Sequence, residues 1–185
     1  MITNYIIEEI TDYKLNIDNF IAIDFETTGL NPNKDRIIEI GAIRFRNNLI
    51  VDKFETLVKI DIDNSHSAME INHISNEMLR NAPDELEAFR NFIDFLNDDS
   101  YVVGHNIKSF DIKFLKNALD RLNLKINLNY IDTLQLSKLC VFDVNNYKLD
   151  TLLSKYNIKN NNPHRALSDS LSCGLLYLKL KEINT

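Results

Sequence analysis

Hydrophobic and polar positions along the chain change rhythm near residue 64. Before it, three segments read as strands, the first of them buried: 20–26 ("FIAIDFE"), 36–46 ("RIIEIGAIRFR") and 49–60 ("LIVDKFETLVKI"). The Asn47-Asn48 step between the last two suits a tight hairpin turn. Residues 1–18 are ambiguous, and "YIIEEI" and "YKLNI" could form short strands ahead of the main domain. Beyond residue 64 the period becomes helical. "PDELEAFRNFIDFL" sets Leu86, Phe89, Ile93 and Leu96 on one stripe, with Pro83 near the first turn. Short strands at 101–105 ("YVVGH") and 128–132 ("LNYID") then alternate with helices expected over 107–122, 133–141, 149–156 and 166–183. A meander of strands followed by strand–helix alternation predicts an α/β fold with a mixed central sheet flanked by helices.

Four acidic residues break this pattern. In the strand over 20–26, Ala22, Asp24 and Glu26 share one face, so two carboxylates sit side by side where apolar residues belong. In the helix from 107, Asp111 lies three before Phe114, four before Leu115 and seven before Ala118, inside the apolar stripe. In the last helix Asp169 falls three after Ala166 and four before Cys173, on the face shared with Leu176 and Leu180. Taken singly, a buried acid on a helix is more often capped or salt-bridged than a ligand. Four of them in one chain, without a matching set of inward basic residues, point to a shared cation. All-oxygen ligands suit a hard divalent ion such as Mg²⁺ or Mn²⁺, and no Cys/His cluster has the spacing of a zinc site. His164 is five residues before Asp169, which on one continuous helix would turn it roughly 140° away. If both serve one site, His164 lies in the loop or first turn before the helix, and Pro163 with Asn160–Asn162 predicts a mobile entry there.

Composition narrows the alternatives. With 185 residues, 44% hydrophobic and 26% charged, the chain is expected to be one folded domain (19–185) behind an N-terminal extension (1–18). No apolar run has membrane-spanning length, and "MITNYIIEEI" has no basic leader region, so a cytoplasmic protein without membrane contact is expected. Cys140 and Cys173 stand alone and read as buried thiols. A net charge of −6 disfavours tight duplex coating but permits nucleic acid handled through bound metal.

These residues resemble the DEDDh 3′→5′ exonucleases, a family that includes the proofreading epsilon subunit of bacterial DNA polymerase III, ribonuclease T and oligoribonuclease. "IDFETTGL" with Asp24 and Glu26, "VGHNIKSFDIKFL" with Asp111, and "HRALSDS" with His164 and Asp169 match its three motifs in order. The segments "IIEIGAIRF", "NHIS", "IDTLQLSK" and "YKLDTL" also look like the family's intervening stretches, so the likeness runs from about Phe20 to Leu180. The resemblance implies a ribonuclease H-like fold with a five-stranded mixed sheet and two divalent metal ions. Asp24, Glu26 and Asp169 would hold one ion, while Asp24 would bridge to a second supported by Asp111, and His164 would act as general base. It also implies that Thr27, Leu30, His105, Asn106 and Phe110 bind substrate. Phe110 could equally be core, and His105 and Asn106 could equally cap a strand–helix turn.

The activity so implied is release of nucleoside 5′-monophosphates from 3′ ends of single-stranded or frayed DNA. "DFETTGL" looks closer to the DNA-proofreading form of the motif, so RNA ends rank second and a non-catalytic binding or polymerase-docking module third. A DNA polymerase is a candidate partner. The chain ends at Thr185 without the tail of an epsilon subunit, which leaves a free-standing nuclease and a separately supplied proofreading domain both open.

Overall fold

The computed structural model describes residues 5–14, 16–96 and 101–184, so parts of the N-terminal extension (1–4 and 15) lie outside the described residues. The elements are β1 (Tyr5–Glu9), β2 (Phe20–Thr27), β3 (Ile37–Arg46), β4 (Leu49–Leu57), α1 (His66–Asn72), α2 (Asn76–Arg80) and α3 (Glu85–Leu96). They continue with β5 (Tyr101–Gly104), α4 (Asp111–Leu122), β6 (Ile126–Asp132), α5 (Thr133–Cys140), α6 (Leu149–Lys155) and α7 (Ala166–Asn184). The strands form one mixed sheet in the order β1-β6-β5-β2-β3-β4. β2, β3 and β4 run antiparallel, whereas β5, β6 and β1 join in parallel. Asn47 and Asn48 both take left-handed φ values, 50° and 65°, as a two-residue turn that follows the twist of its hairpin requires.

Among the described residues the sheet has six strands where five were expected, because β1 pairs in parallel with β6 and covers that edge. Only Tyr5 and Ile7 of β1 pack on the core, while Ile6 is 57% exposed. Such a short, half-buried segment carries too weak an alternation to be assigned from sequence. The helix expected from residue 107 begins at Asp111. Asn106 is left-handed (φ 58°), and the backbone N–H groups of Asn106 and Lys108 donate to Asp132 Oδ1 and Oδ2 at 2.9 and 3.2 Å. Those residues form a turn, although Ile107 still enters the core and so extends the apolar rhythm. In α3 the buried side is Ala88, Phe89, Phe92 and Leu96, slightly rotated from the expected stripe.

The two faces of the sheet bury separate cores. Ile21, Ile23 and Phe25 pack with α3 and α4, and Phe20 and Ala22 with α5, α6 and α7. The second face is tightly closed. A Cβ on Gly174 would lie 2.5 Å from the Phe45 ring, and one on Gly41 would lie 2.1 Å from the carbonyl carbon of Ala166. Gly41 is the register partner of Asp24, so the missing side chain lets the start of α7 rest on the sheet beside that carboxylate. Among the described residues no helix is long and apolar enough to cross a membrane.

Candidate metal centre

Strand alternation places Asp24 and Glu26 on the α7 side of β2, and the first turn of α7 brings Asp169 to meet them. Carboxylate oxygens of Asp24, Glu26 and Asp169 lie within 4.8 Å of one another. Asp111 approaches from the first residue of α4, outside that triplet. It is 4% exposed, and its Oδ1 has no hydrogen-bond partner among the described residues. A buried, unpartnered carboxylate oxygen beside three converging acids is a costly arrangement unless a cation completes it.

The electrostatics agree. Burial, followed by the charges of Asp111, Asp169, Glu26 and Glu39, holds the Asp24 carboxyl well above the usual range. Burial and the neighbouring acids push Glu26 up to about 8, with Arg165 partly opposing them. Burial raises Asp111 to about 7, against the hydrogen bonds it accepts from the backbone of Asp111 itself and Phe25. Burial also raises Asp169, although its Oδ1 accepts from Asn160 Nδ2 and its Oδ2 from the His164 N–H at 3.0 Å. Four carboxyls that resist ionisation in the bare protein form an oxygen-donor set suited to a hard divalent ion.

His164 precedes α7, exposed, with a left-handed φ of 61°. The Asn run before it, expected to be mobile, is hydrogen-bonded: Asn160 Oδ1 accepts from Ser168 Oγ at 2.6 Å and from Asn162 N–H at 3.3 Å. An open cleft of about 730 Å³ collects Asp24, Asp169, His164, His105, Asn106 and Phe110. His105 is fully engaged, with Nδ1 2.9 Å from Thr133 Oγ1 and Nε2 2.9 Å from the Tyr147 carbonyl, and burial pulls its pKa down to about 4. Phe110 lines the cleft and lies against Phe114 with ring centres 4.9 Å apart. Thr27 and Leu30 are not among the cleft-lining residues. Thr27 is buried and donates to the Gly29 carbonyl at 2.6 Å, and Leu30 is 83% exposed on the loop after β2.

Several residues at the site were not singled out from sequence. Fully buried Glu39, the register partner of Glu26, accepts from Arg165 Nε and from the Ala166 N–H at 2.9 Å. A lone acid in the apolar run "RIIEIGAIRF" was the signal available for it. Asp132 holds the turn behind Asn106, and Lys138, Lys148 and Asp150 line the wall of the cleft formed by α5 and α6.

A family model described as Exonuclease matches residues 21–177. The chain is similar to the PolC-type DNA polymerase III of Caldanaerobacter subterraneus (37% identity, 88% of this chain) and of Thermotoga maritima (38%, 89% of this chain). It spans only 12% of the length of either relative. Among solved structures it resembles Escherichia coli exonuclease I in complex with a dT13 oligonucleotide, with a TM-score of 0.80 and 20% identity over 91% of this chain and 42% of that one. Exonuclease X in complex with 5′ overhanging duplex DNA superposes with a TM-score of 0.70 at 24% identity, over 88% and 91% of the two chains. At these identities the structural likeness is one of fold.

Proposed function

Because the chain belongs to the exonuclease family whose model spans residues 21–177, we propose that it hydrolyses phosphodiester bonds at 3′ ends of single-stranded or frayed DNA, releasing nucleoside 5′-monophosphates. The observation that carries this reading is the meeting of Asp24, Glu26 and Asp169 within 4.8 Å, beside the unpartnered Asp111 oxygen. Asp24, Glu26 and Asp169 would hold one divalent ion, Mg²⁺ or Mn²⁺, and Asp24 and Asp111 a second. When bound, such a pair supplies positive charge to the attacking and leaving oxygens of an in-line displacement.

The remaining work falls to the chain's own groups. The His164 imidazole, exposed at the cleft, accepts the proton of the attacking water on a ring nitrogen. The water oxygen bonds to phosphorus as the bond to the 3′ oxygen breaks, and that oxygen takes a proton from solvent to leave a new 3′ hydroxyl on the shortened strand. Phe110 offers a ring face to a base, and exposed Leu30 an apolar contact to the terminal nucleotide beside the Thr27 backbone. Asn106 reaches the phosphate or sugar. With both ring nitrogens committed inside the protein, His105 anchors the Tyr147 loop at the cleft wall. Lys138 and Lys148, whose ammonium groups have no partner among the described residues, line that wall where an incoming strand would carry phosphates.

DNA is favoured because the relatives are DNA polymerases by name, which also makes a DNA polymerase a candidate partner. The test is digestion of matched DNA and RNA strands, free or blocked at the 3′ end, with Mg²⁺ or Mn²⁺. Release from the free DNA end is expected, with a loss of about 10²–10⁴-fold in His164→Ala. Faster release from RNA would transfer the reading to RNA ends, and no release from any strand with either ion would overturn it.

A further inference from the structure

Glu39 and Arg165 take no part in the reaction as described, yet Glu39 is a fully enclosed charge beside the carboxylate triplet. An enclosed carboxylate persists only when paired and hydrogen-bonded. Arg165 Nε donates to Glu39 Oε1 and Oε2 at 3.0 and 3.2 Å, and a second guanidinium nitrogen donates to Oε1. The Ala166 N–H adds a bond to Oε2 at 2.9 Å. Glu55 stands 3.8 Å from the same guanidinium on the neighbouring strand β4. The Arg165 carbonyl also accepts the Ser168 and Asp169 N–H groups at 2.9 and 3.0 Å, opening α7.

His164 is the next residue back, and its φ of 61° is one that a residue with a Cβ rarely adopts unless its surroundings impose it. Its N–H is held by Asp169 on one side, and the side chain of its neighbour is clamped by Glu39 on the other. We propose that the buried Glu39–Arg165 pair positions His164. It keeps the backbone in the left-handed conformation that directs the imidazole to the cleft. The inference rests on the role given to His164 above. Geometry is the essential part, since the two-point grip belongs to a planar guanidinium and a lysine ammonium lacks it.

Arg165→Lys therefore keeps the charge and removes the grip. Two measurements test it together, amide hydrogen exchange at His164 and single-turnover hydrolysis in wild-type and His164→Ala backgrounds. Expected is His164 exchange about tenfold faster than wild type, with the amides of Ile21–Phe25 unchanged. The hydrolysis rate should fall by about tenfold or more with KM held within about twofold. In the His164→Ala background the same substitution should change the rate by less than about twofold, because the clamp acts only through the imidazole. Equal losses in both backgrounds, or unchanged His164 exchange, would overturn the clamp. Glu39→Gln provides the same comparison if Arg165→Lys does not fold. Wild-type protein inactive on every strand would remove the nuclease reading alone, since exchange at His164 still decides whether the pair holds that backbone.

Discussion

Asp24 places a carboxyl where everything nearby resists its ionisation. It is flanked by Asp111, Asp169, Glu26 and Glu39, and burial adds to their repulsion. Such a group either keeps a proton or takes a cation. Asp24→Asn preserves the shape and removes both options. Hydrolysis should fall by more than about a hundredfold, the range that losing an outer partner of a ligand already reaches. Addition of Mn²⁺ should no longer raise the thermal midpoint, whereas the metal-free protein should melt no lower than wild type. Activity near the wild-type level would remove Asp24 from the site. Asp24, Glu26 and Asp169 were legible in the sequence because period alone sets their faces, two for a strand and 3.6 for a helix. Glu39 broke its pattern just as plainly, but its partner Arg165 is 126 positions away and no local rule joins them. His105 was ambiguous for a similar reason. Whether a histidine after a strand faces substrate or backbone depends on Thr133 and Tyr147, which only folding brings to it.

At the scale of elements, the site exists because α7 crosses β3 at Gly41. The pairing of Gly41 with Asp24 means that helix and carboxylate meet at one point of the sheet. A methyl group at Gly41 would sit 2.1 Å from the Ala166 carbonyl carbon, a backbone atom with no rotamer to yield. Gly41→Ala should cost roughly 1–3 kcal/mol, as overpacking of a closed interior does, and urea unfolding measures it. It should also lift Asp169 away from Asp24, lowering metal-dependent hydrolysis more than either β4 or α6 substitutions would. Unchanged stability and activity would show that the helix does not rest there. Long periodic elements such as β2, β3 and α7 were legible from the sequence. The start of α4 was not, because the turn ahead of it is held by Asp132, whose carboxylate accepts the Asn106 and Lys108 N–H groups from 26 and 24 positions away. β1 stayed ambiguous because its stability is borrowed from the β6 edge.

For the molecule as a whole, the carboxyl cluster couples stability to pH and to cation. Glu26 and Asp111 have folded-state pKa values near 8 and 7, above the ordinary values near 4 of an unfolded chain. Between those limits the folded protein binds more protons than the unfolded one, so the metal-free stability falls as pH rises from about 4 to about 8. A divalent cation favours the ionised acids, and its stabilising effect should grow over the same interval with release of protons on binding. Melting curves in chelator and in Mn²⁺ across that range check both slopes. A metal-free protein that gains stability on the way to pH 8 would contradict the electrostatics of the cluster.

The order of strands and helices, the inward direction of four acids and the place of His164 ahead of the last helix all follow from local chemistry, since each depends on residues within a turn or two of itself. The grip of Glu39 on Arg165, the contact of Gly41 with Ala166, the engaged ring of His105 and the sixth strand belong to the tertiary structure. Each joins segments far apart in the chain, and period along one segment carries no information about which distant surface will close on it.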